Sequence, residues 1–295
     1  MNRSPIPSVL LSLCAVMIAT AAFGGGKGHL FIIGGGERGP ELMQEFIALA
    51  GGPGSAVIRI IPLASGDPRE AGTELAGEFT SLGVKNVSSL LWTREEAEAE
   101  GSEKGLEGAT GVYFAGGDQI RVTRALLNTP VYRKLHQLYR DGAVLGGTSA
   151  GAAIMSRVMI TGDETMNKDT VRNFVFMKKG NIERVEGMGF LDSVIIDQHF
   201  IKRKRYARLL SLAMEYPELV GVGIDESTAI TVNPDRTFRV SGEGTVFVVD
   251  PTHARQLGTD AHGNLSGSNL ILHILKAGDS FDMTTRTPRP AGTEK

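Results

Sequence analysis

The strongest constraint on this chain is a repeated unit: a short, wholly apolar run that breaks into a glycine turn and leads to helical periodicity. Leu30-Phe31-Ile32-Ile33 runs into Gly34-Gly35-Gly36, and residues 41–47 then carry apolar side chains at helical spacing. The unit recurs. Residues 56–62 precede a helical stretch over 70–82, and 84–91 precede an acidic helix from Thr93. Gly111-Val112-Tyr113-Phe114 enters Ala115-Gly116-Gly117-Asp118 ahead of a helical 120–127. Pro130 suits the first turn of a helix reaching about Tyr139, after which Ala143-Val144-Leu145 ends in Gly146-Gly147. Strands that are apolar on both faces need cover on both faces, so this alternation predicts an α/β fold built on a parallel sheet. Beyond residue 216 the pattern turns strand-rich, over 220–224, 229–232, 238–240, 245–249 and 270–275. These strands are expected to extend the same sheet in antiparallel fashion. Residues 284–295, rich in Thr, Pro and Gly, read as a disordered tail.

Thirty-eight glycines without a three-residue period exclude collagen, and 41% hydrophobic with 22% charged residues excludes a disordered chain or a coiled coil. With 31 basic and 33 acidic residues, the net charge of −2 supplies no general field for nucleic acid. At the N-terminus, Arg3, the apolar stretch 9–23 and Ala19-Thr20-Ala21 have the order of an export signal. Residues 1–21 are therefore expected to be a signal peptide and 22–295 a single exported domain, periplasmic or extracellular. Cys14, the only cysteine, falls within that leader, which leaves the mature part without thiol chemistry. After the leader no apolar segment approaches the roughly 18–20 residues that span a bilayer, so no membrane partner is expected once the signal is cleaved.

Gly147-Thr148-Ser149-Ala150-Gly151 is a G-x-S-x-G sequence at a strand-to-helix junction, the context in which a serine is held exposed at a sharp turn. Its base should be one of six histidines: His29, His136, His199, His253, His262 and His273. His29 precedes the first strand, and His136 sits in a helical pattern as a surface residue. His199 ends the apolar run Val194-Ile195-Ile196, and reactive groups of parallel sheets collect beyond the carboxyl ends of strands. Asp225 and Glu226 end another strand and can supply the orienting carboxylate. Backbone N–H groups of Gly117 and Ala150 are candidates for an oxyanion hole. An α/β-hydrolase esterase order, Ser149 with Asp225 and either His253 or His262, is the rival arrangement, and a non-catalytic binding protein on the same fold is a second.

Gly34-Gly35-Gly36-Glu37-Arg38-Gly39 formally satisfies G-x-G-x-x-G, but Ile61-Pro62-Leu63-Ala64 ends the second strand where a ribose-binding acid should stand. Dinucleotide binding is a poor reading of it. Lys202, Arg203, Lys204, Arg205 and Arg208 concentrate charge just after His199, either to grip carboxylates of an acidic substrate or to form ion pairs that shape a pocket.

Together these segments resemble the serine-peptidase family that contains cyanophycinase and aspartyl dipeptidase. The resemblance is carried by residues 113–119, 146–152, Gly187-Met188-Gly189-Phe190, and Asp197-Gln198-His199-Phe200 with the spaced arginines. It closes with Gly223-Ile224-Asp225-Glu226 and 272–279, and it covers 28–282. It implies a class I glutamine amidotransferase-like, flavodoxin-like, three-layer α/β/α sandwich around a mostly parallel sheet, with no metal or other cofactor. It also implies Ser149 as nucleophile, His199 as general base and Glu226 as carboxylate. Gln119, Asp197, Gln198, Arg203, Arg205 and Arg208 then match substrate-pocket positions, with Asp197 available to a guanidinium. The implied substrate is an arginine-bearing poly-aspartate from which β-Asp-Arg dipeptides are released, or another aspartyl or isoaspartyl peptide. A homodimer is compatible with the resemblance.

Overall fold

The protein is described by a computed structural model covering residues 27–166 and 176–292. The leader expected over 1–21, with Cys14, lies outside the described residues. The first half runs β1 (Leu30–Ile33), α1 (Pro40–Leu49), β2 (Val57–Ile61), α2 (Pro68–Ser81), β3 (Asn86–Ser89), α3 (Arg94–Glu98) and β4 (Gly111–Phe114). It continues through α4 (Gln119–Leu126), α5 (Pro130–Asp141), β5 (Val144–Thr148) and the short α6 (Ala150–Ala153). Then follow β6 (Val158–Glu164), β7 (Ile182–Glu186), β8 (Val194–Gln198), α7 (Tyr206–Glu215), β9 (Val220–Ile224), β10 (Thr228–Val232) and β11 (Thr237–Gly242). The chain closes with β12 (Thr245–Asp250), β13 (Arg255–Thr259), β14 (Leu265–Ser268), β15 (Ile271–Lys276), β16 (Ser280–Asp282) and β17 (Thr287–Arg289).

Local chemistry sets several helix starts. Asp67 accepts hydrogen bonds from the N–H groups of Arg69 and Glu70, and Pro68 occupies the first turn of α2. Thr129 and Pro130 do the same for α5, which stops at Gly142 in a left-handed conformation. Asp67, which a dinucleotide site would have needed at the tip of β2, is thus a helix cap.

The main sheet has nine strands in the order β17-β16-β11-β10-β1-β5-β4-β2-β3. The segment from β1 to β3 is parallel, and β10, β11, β16 and β17 extend it in antiparallel fashion. One face carries Phe31, Ile58, Ile60 and Tyr113 under α1 and α2, where Phe46 and Phe79 close an aromatic cluster. The other carries Leu30, Ile32, Val112, Phe114 and Leu145 under α4, α5 and α6. This is the expected sandwich.

Two expectations are corrected. The strand-rich region does not join one sheet: β9, β12 and β15 form a separate four-stranded sheet with β8, in the order β15-β12-β9-β8. Its strands need cover on both sides. Ile196, Val222 and Val248 face the antiparallel half of the main sheet, while Ile195 and Val249 face α7. The expected disorder from residue 284 is not seen over 284–292, where Thr287–Arg289 pairs with β16 as β17.

Candidate active site

Five strand ends converge. Ser149 follows β5 with φ 54 and ψ −108, a conformation imposed by the turn. A Cβ at Gly147 would lie 2.4 Å from the Gly151 carbonyl oxygen, and one at Gly151 would lie 2.4 Å from that of Phe114. Both glycines are needed for the bend to close. His199, also left-handed at φ 49, follows β8, and Glu226 lies just beyond β9.

Ser149 Oγ is 2.8 Å from His199 Nε2, and His199 Nδ1 is 2.6 Å from Glu226 Oε1. A carboxylate on Nδ1 fixes the tautomer that leaves Nε2 free to accept the serine proton. Burial pushes the His199 imidazole below its ordinary value. The charges of Arg203 and Arg205 push it the same way, and Glu226 pushes it up. The ring is therefore kept neutral, as a base requires.

The anticipated meeting of Ser149 and His199 is realised across two sheets rather than within one. The β1 turn bridges them. The Ile33 carbonyl accepts the Ser149 N–H at 3.1 Å, the Gly34 carbonyl accepts the His199 N–H at 2.7 Å, and the Gly35 carbonyl accepts the Ser227 N–H at 2.9 Å. The glycines of the rejected nucleotide motif thus belong to this site. The only sequence signal for it was three consecutive glycines at a strand end.

Asp225 and Glu226 divide their work. Glu226 meets His199, while Asp225 Oδ1 accepts the N–H groups of Ile201 and Lys202 at 3.1 and 3.0 Å and shapes the loop after His199. Histidines 253 and 262 are exposed beside the β13–β14 hairpin, so the esterase order does not form. His136, expected on the surface, is partly buried. Its Nε2 lies 2.8 Å from the Met188 carbonyl oxygen, and Phe190 stacks on its ring.

Gly116 and Gly117 follow β4 beside Ser149: a Cβ on Gly116 would lie 3.4 Å from the Ser149 Cβ. Gly117 has φ +137, and a Cβ there would strike the Ala64 carbonyl oxygen at 2.0 Å. Ala150 opens α6 immediately after Ser149.

The remaining candidates separate by burial. Gln119 Nε2 donates to the carbonyls of Ile160 and Thr161 at 2.6 and 2.7 Å, tying α4 to β6. Asp197 is 1% exposed, and its carboxylate is gripped at both oxygens by Arg208, also 1% exposed. The guanidinium it meets is the protein's own. Arg205 lies 3.8 Å from the same carboxylate and donates to the Gln198 carbonyl and Oε1 at 2.7 and 2.8 Å. Burial, then the charge of Arg208, pushes the Arg205 guanidinium down to about 9. Of the two uses open to the arginine cluster, Arg205 and Arg208 show the ion-paired one, both meeting Asp197. Arg203 is exposed, and its N–H binds the His199 carbonyl at 2.9 Å.

The sequence profile described as Peptidase family S51 matches residues 30–240. Curated cyanophycinases are similar over most of their length. That of Synechococcus elongatus is 38% identical over 292 residues, covering 96% of this chain and 87% of its own. That of Nostoc sp. is 37% identical over 276 residues (90% and 89%), and that of Geminocystis herdmanii 35% over 273 (89% and 96%). Among solved structures, a peptidase from an acI-B1 Actinobacterium has a TM-score of 0.65 at 23% identity, covering 88% of this chain and 98% of its own. A putative peptidase E protein from Listeria monocytogenes EGD-e has a TM-score of 0.51 at 16% identity, covering 74% and 99%. These two likenesses concern the fold.

Proposed function

The chain belongs to peptidase family S51, and from that premise we propose that this serine peptidase degrades cyanophycin, an arginine-bearing poly-aspartate, to β-Asp-Arg dipeptides. The observation that carries the reading is the Ser149–His199–Glu226 chain of hydrogen bonds, with a buried imidazole whose pKa lies below its ordinary value.

His199 Nε2 takes the proton from Ser149 Oγ as the oxygen adds to the scissile carbonyl carbon. The resulting oxyanion is met by the N–H groups of Gly117 and Ala150. The imidazolium, steadied by Glu226, gives that proton to the leaving nitrogen, and the C–N bond breaks to leave an ester on Ser149. A water molecule, deprotonated by His199, then attacks the ester and regenerates the serine. Exposed Lys202, Arg203 and Lys204 beside His199 suit a substrate that presents carboxylates. The buried group of Asp197, Gln198, Arg205 and Arg208 fixes the wall behind them.

Incubation of the purified protein with cyanophycin, followed by mass analysis, should yield β-Asp-Arg and nothing with the Ser149→Ala variant. Polymer left intact by the parent chain would refute the substrate, and equal hydrolysis by both proteins would refute the nucleophile. The proposal extends to location. Arg3, the apolar stretch 9–23 and Ala19-Thr20-Ala21 support export, so the mature chain should lack its first 21 residues when its N-terminus is sequenced. Such an enzyme meets its polymer outside the cytoplasm.

A further inference from the structure

We propose that the Gly34–Gly36 turn is a positioning element of the triad, and that Gly35 sets the place of the His199 ring. The inference rests on the serine-peptidase mechanism above and adds the residues that hold it together. Ser149 and the pair His199–Glu226 are carried by different sheets, so neither sheet alone defines their separation. The end of β1 and the turn after it reach all three: the Ile33 carbonyl, the last of β1, takes the Ser149 N–H, while the Gly34 and Gly35 carbonyls take those of His199 and of Ser227, the residue after Glu226.

Each glycine also faces one part of the opposite sheet at a distance no side chain allows. A Cβ on Gly34 would lie 2.1 Å from the Asp225 carbonyl oxygen. One on Gly35 would lie 2.3 Å from His199 Cε1 and 2.5 Å from Nε2, and one on Gly36 would lie 2.7 Å from the Glu226 Cβ. Gly35, at φ +108, therefore forms the wall against which the imidazole stands, with Ser149 at Nε2 and Glu226 at Nδ1. A methyl group there cannot be accommodated unless the ring moves, and a ring moved by about 1 Å loses the alignment that proton transfer needs.

Gly35→Ala should slow modification of Ser149 by a fluorophosphonate at least about 100-fold, the order of loss that a small misplacement brings. Its kcat on cyanophycin should fall alongside while KM stays within about twofold, since the substrate wall is untouched. Because alanine at a positive φ also strains the backbone, thermal unfolding should be compared in two backgrounds. If the methyl acts through the ring, Gly35→Ala lowers Tm markedly in the parent chain and much less in a His199→Gly chain, where the ring is gone. Labelling of Gly35→Ala at the parent rate, or an equal Tm loss in both backgrounds, overturns the proposal. A parent chain that fails to label at Ser149 refutes the nucleophile instead, and the Tm comparison would still report whether Gly35 meets the ring.

Discussion

In the proposed mechanism, proton traffic at one imidazole decides activity, and the charges around that imidazole decide the pH at which it works. His199 must be neutral to accept the Ser149 proton. Its pKa lies below the ordinary value because it is buried and because Arg203 and Arg205 stand nearby. Activity should therefore persist as pH falls below about 6.5, the ordinary imidazole value, and fade only as the ring finally protonates. Arg203 is exposed and contributes repulsion, so Arg203→Gln should raise the ring's pKa and move the acid limb to higher pH. The rate of Ser149 labelling against pH reads this directly; a limb that stays in place or moves down would contradict it. Glu226→Gln has the opposite electrostatic sign, because it removes the partner that raises the ring, and it also frees the tautomer. Ser149 and His199 were legible because each follows an apolar strand, in a residue type that chemistry requires at a strand end. The choice between Asp225 and Glu226 was left open by the strand-end argument and came only from the family resemblance. Adjacent residues at the end of β9 point to different places, and spacing alone does not say which one meets a ring from another segment.

At the scale of elements, β8 and α7 are joined by buried charge. Asp197 near the end of β8 holds Arg208 on α7 through both carboxylate oxygens, with Arg205 3.8 Å away. A buried ion pair is costly to break on one side only, because the partner is left charged without compensation. Asp197→Ala leaves two guanidinium groups facing each other, and it should destabilise the fold by about 3–5 kcal/mol in denaturant unfolding. Arg208→Lys should not restore stability, since an ammonium cannot reproduce the paired N–H contacts of a guanidinium. Full stability of either variant would mean that α7 is held by its apolar face alone. This part of the molecule was only half legible. The crowding of cations after His199 was plain, but whether they face substrate or protein depends on burial, which the pattern of charges does not reveal. The division of strands between two sheets was hidden for a related reason. β9 and β10 are both short, fully buried runs, separated by three residues. The change of sheet occurs in that brief turn, where Ser227 adopts φ 51.

In the whole molecule the two sheets are fastened at opposite ends of β9. One end is the glycine turn at the active site. At the other, Arg286 reaches from the β16–β17 turn of the main sheet to Asp250 Oδ1 at 2.7 Å and to the Glu218 carbonyl at 2.7 Å. Asp250 ends β12, next to the start of β9. The composition of the last segment suggests a loose end, yet Thr287–Arg289 pairs with β16, the Ala291 N–H donates to Asp279, and Arg286 ties the turn to the second sheet. Asp250 is 3% exposed. Burial works to raise its carboxyl, but hydrogen bonds from Thr252 and then the contact with Arg286 outweigh burial and hold it below the ordinary carboxylate value. A depressed carboxylate stabilises the fold above its unfolded pKa of about 3.9, and that contribution is lost as pH falls through the lower folded value. Arg286→Ala removes both the contact and part of the depression. Its cost should be about 2–4 kcal/mol at neutral pH, in keeping with loss of charge-assisted hydrogen bonds to a buried acid. That cost should shrink at acid pH, where Asp250 is protonated whether or not the arginine is present. Ser149 labelling at neutral pH and low temperature should be nearly unchanged, because the site lies at the far fastening. Thermal unfolding of both proteins across pH 3–8 separates the alternatives: a cost that does not vary with pH would show that Arg286 acts by packing and not through Asp250, and a parallel loss of labelling would show that the two fastenings are not independent.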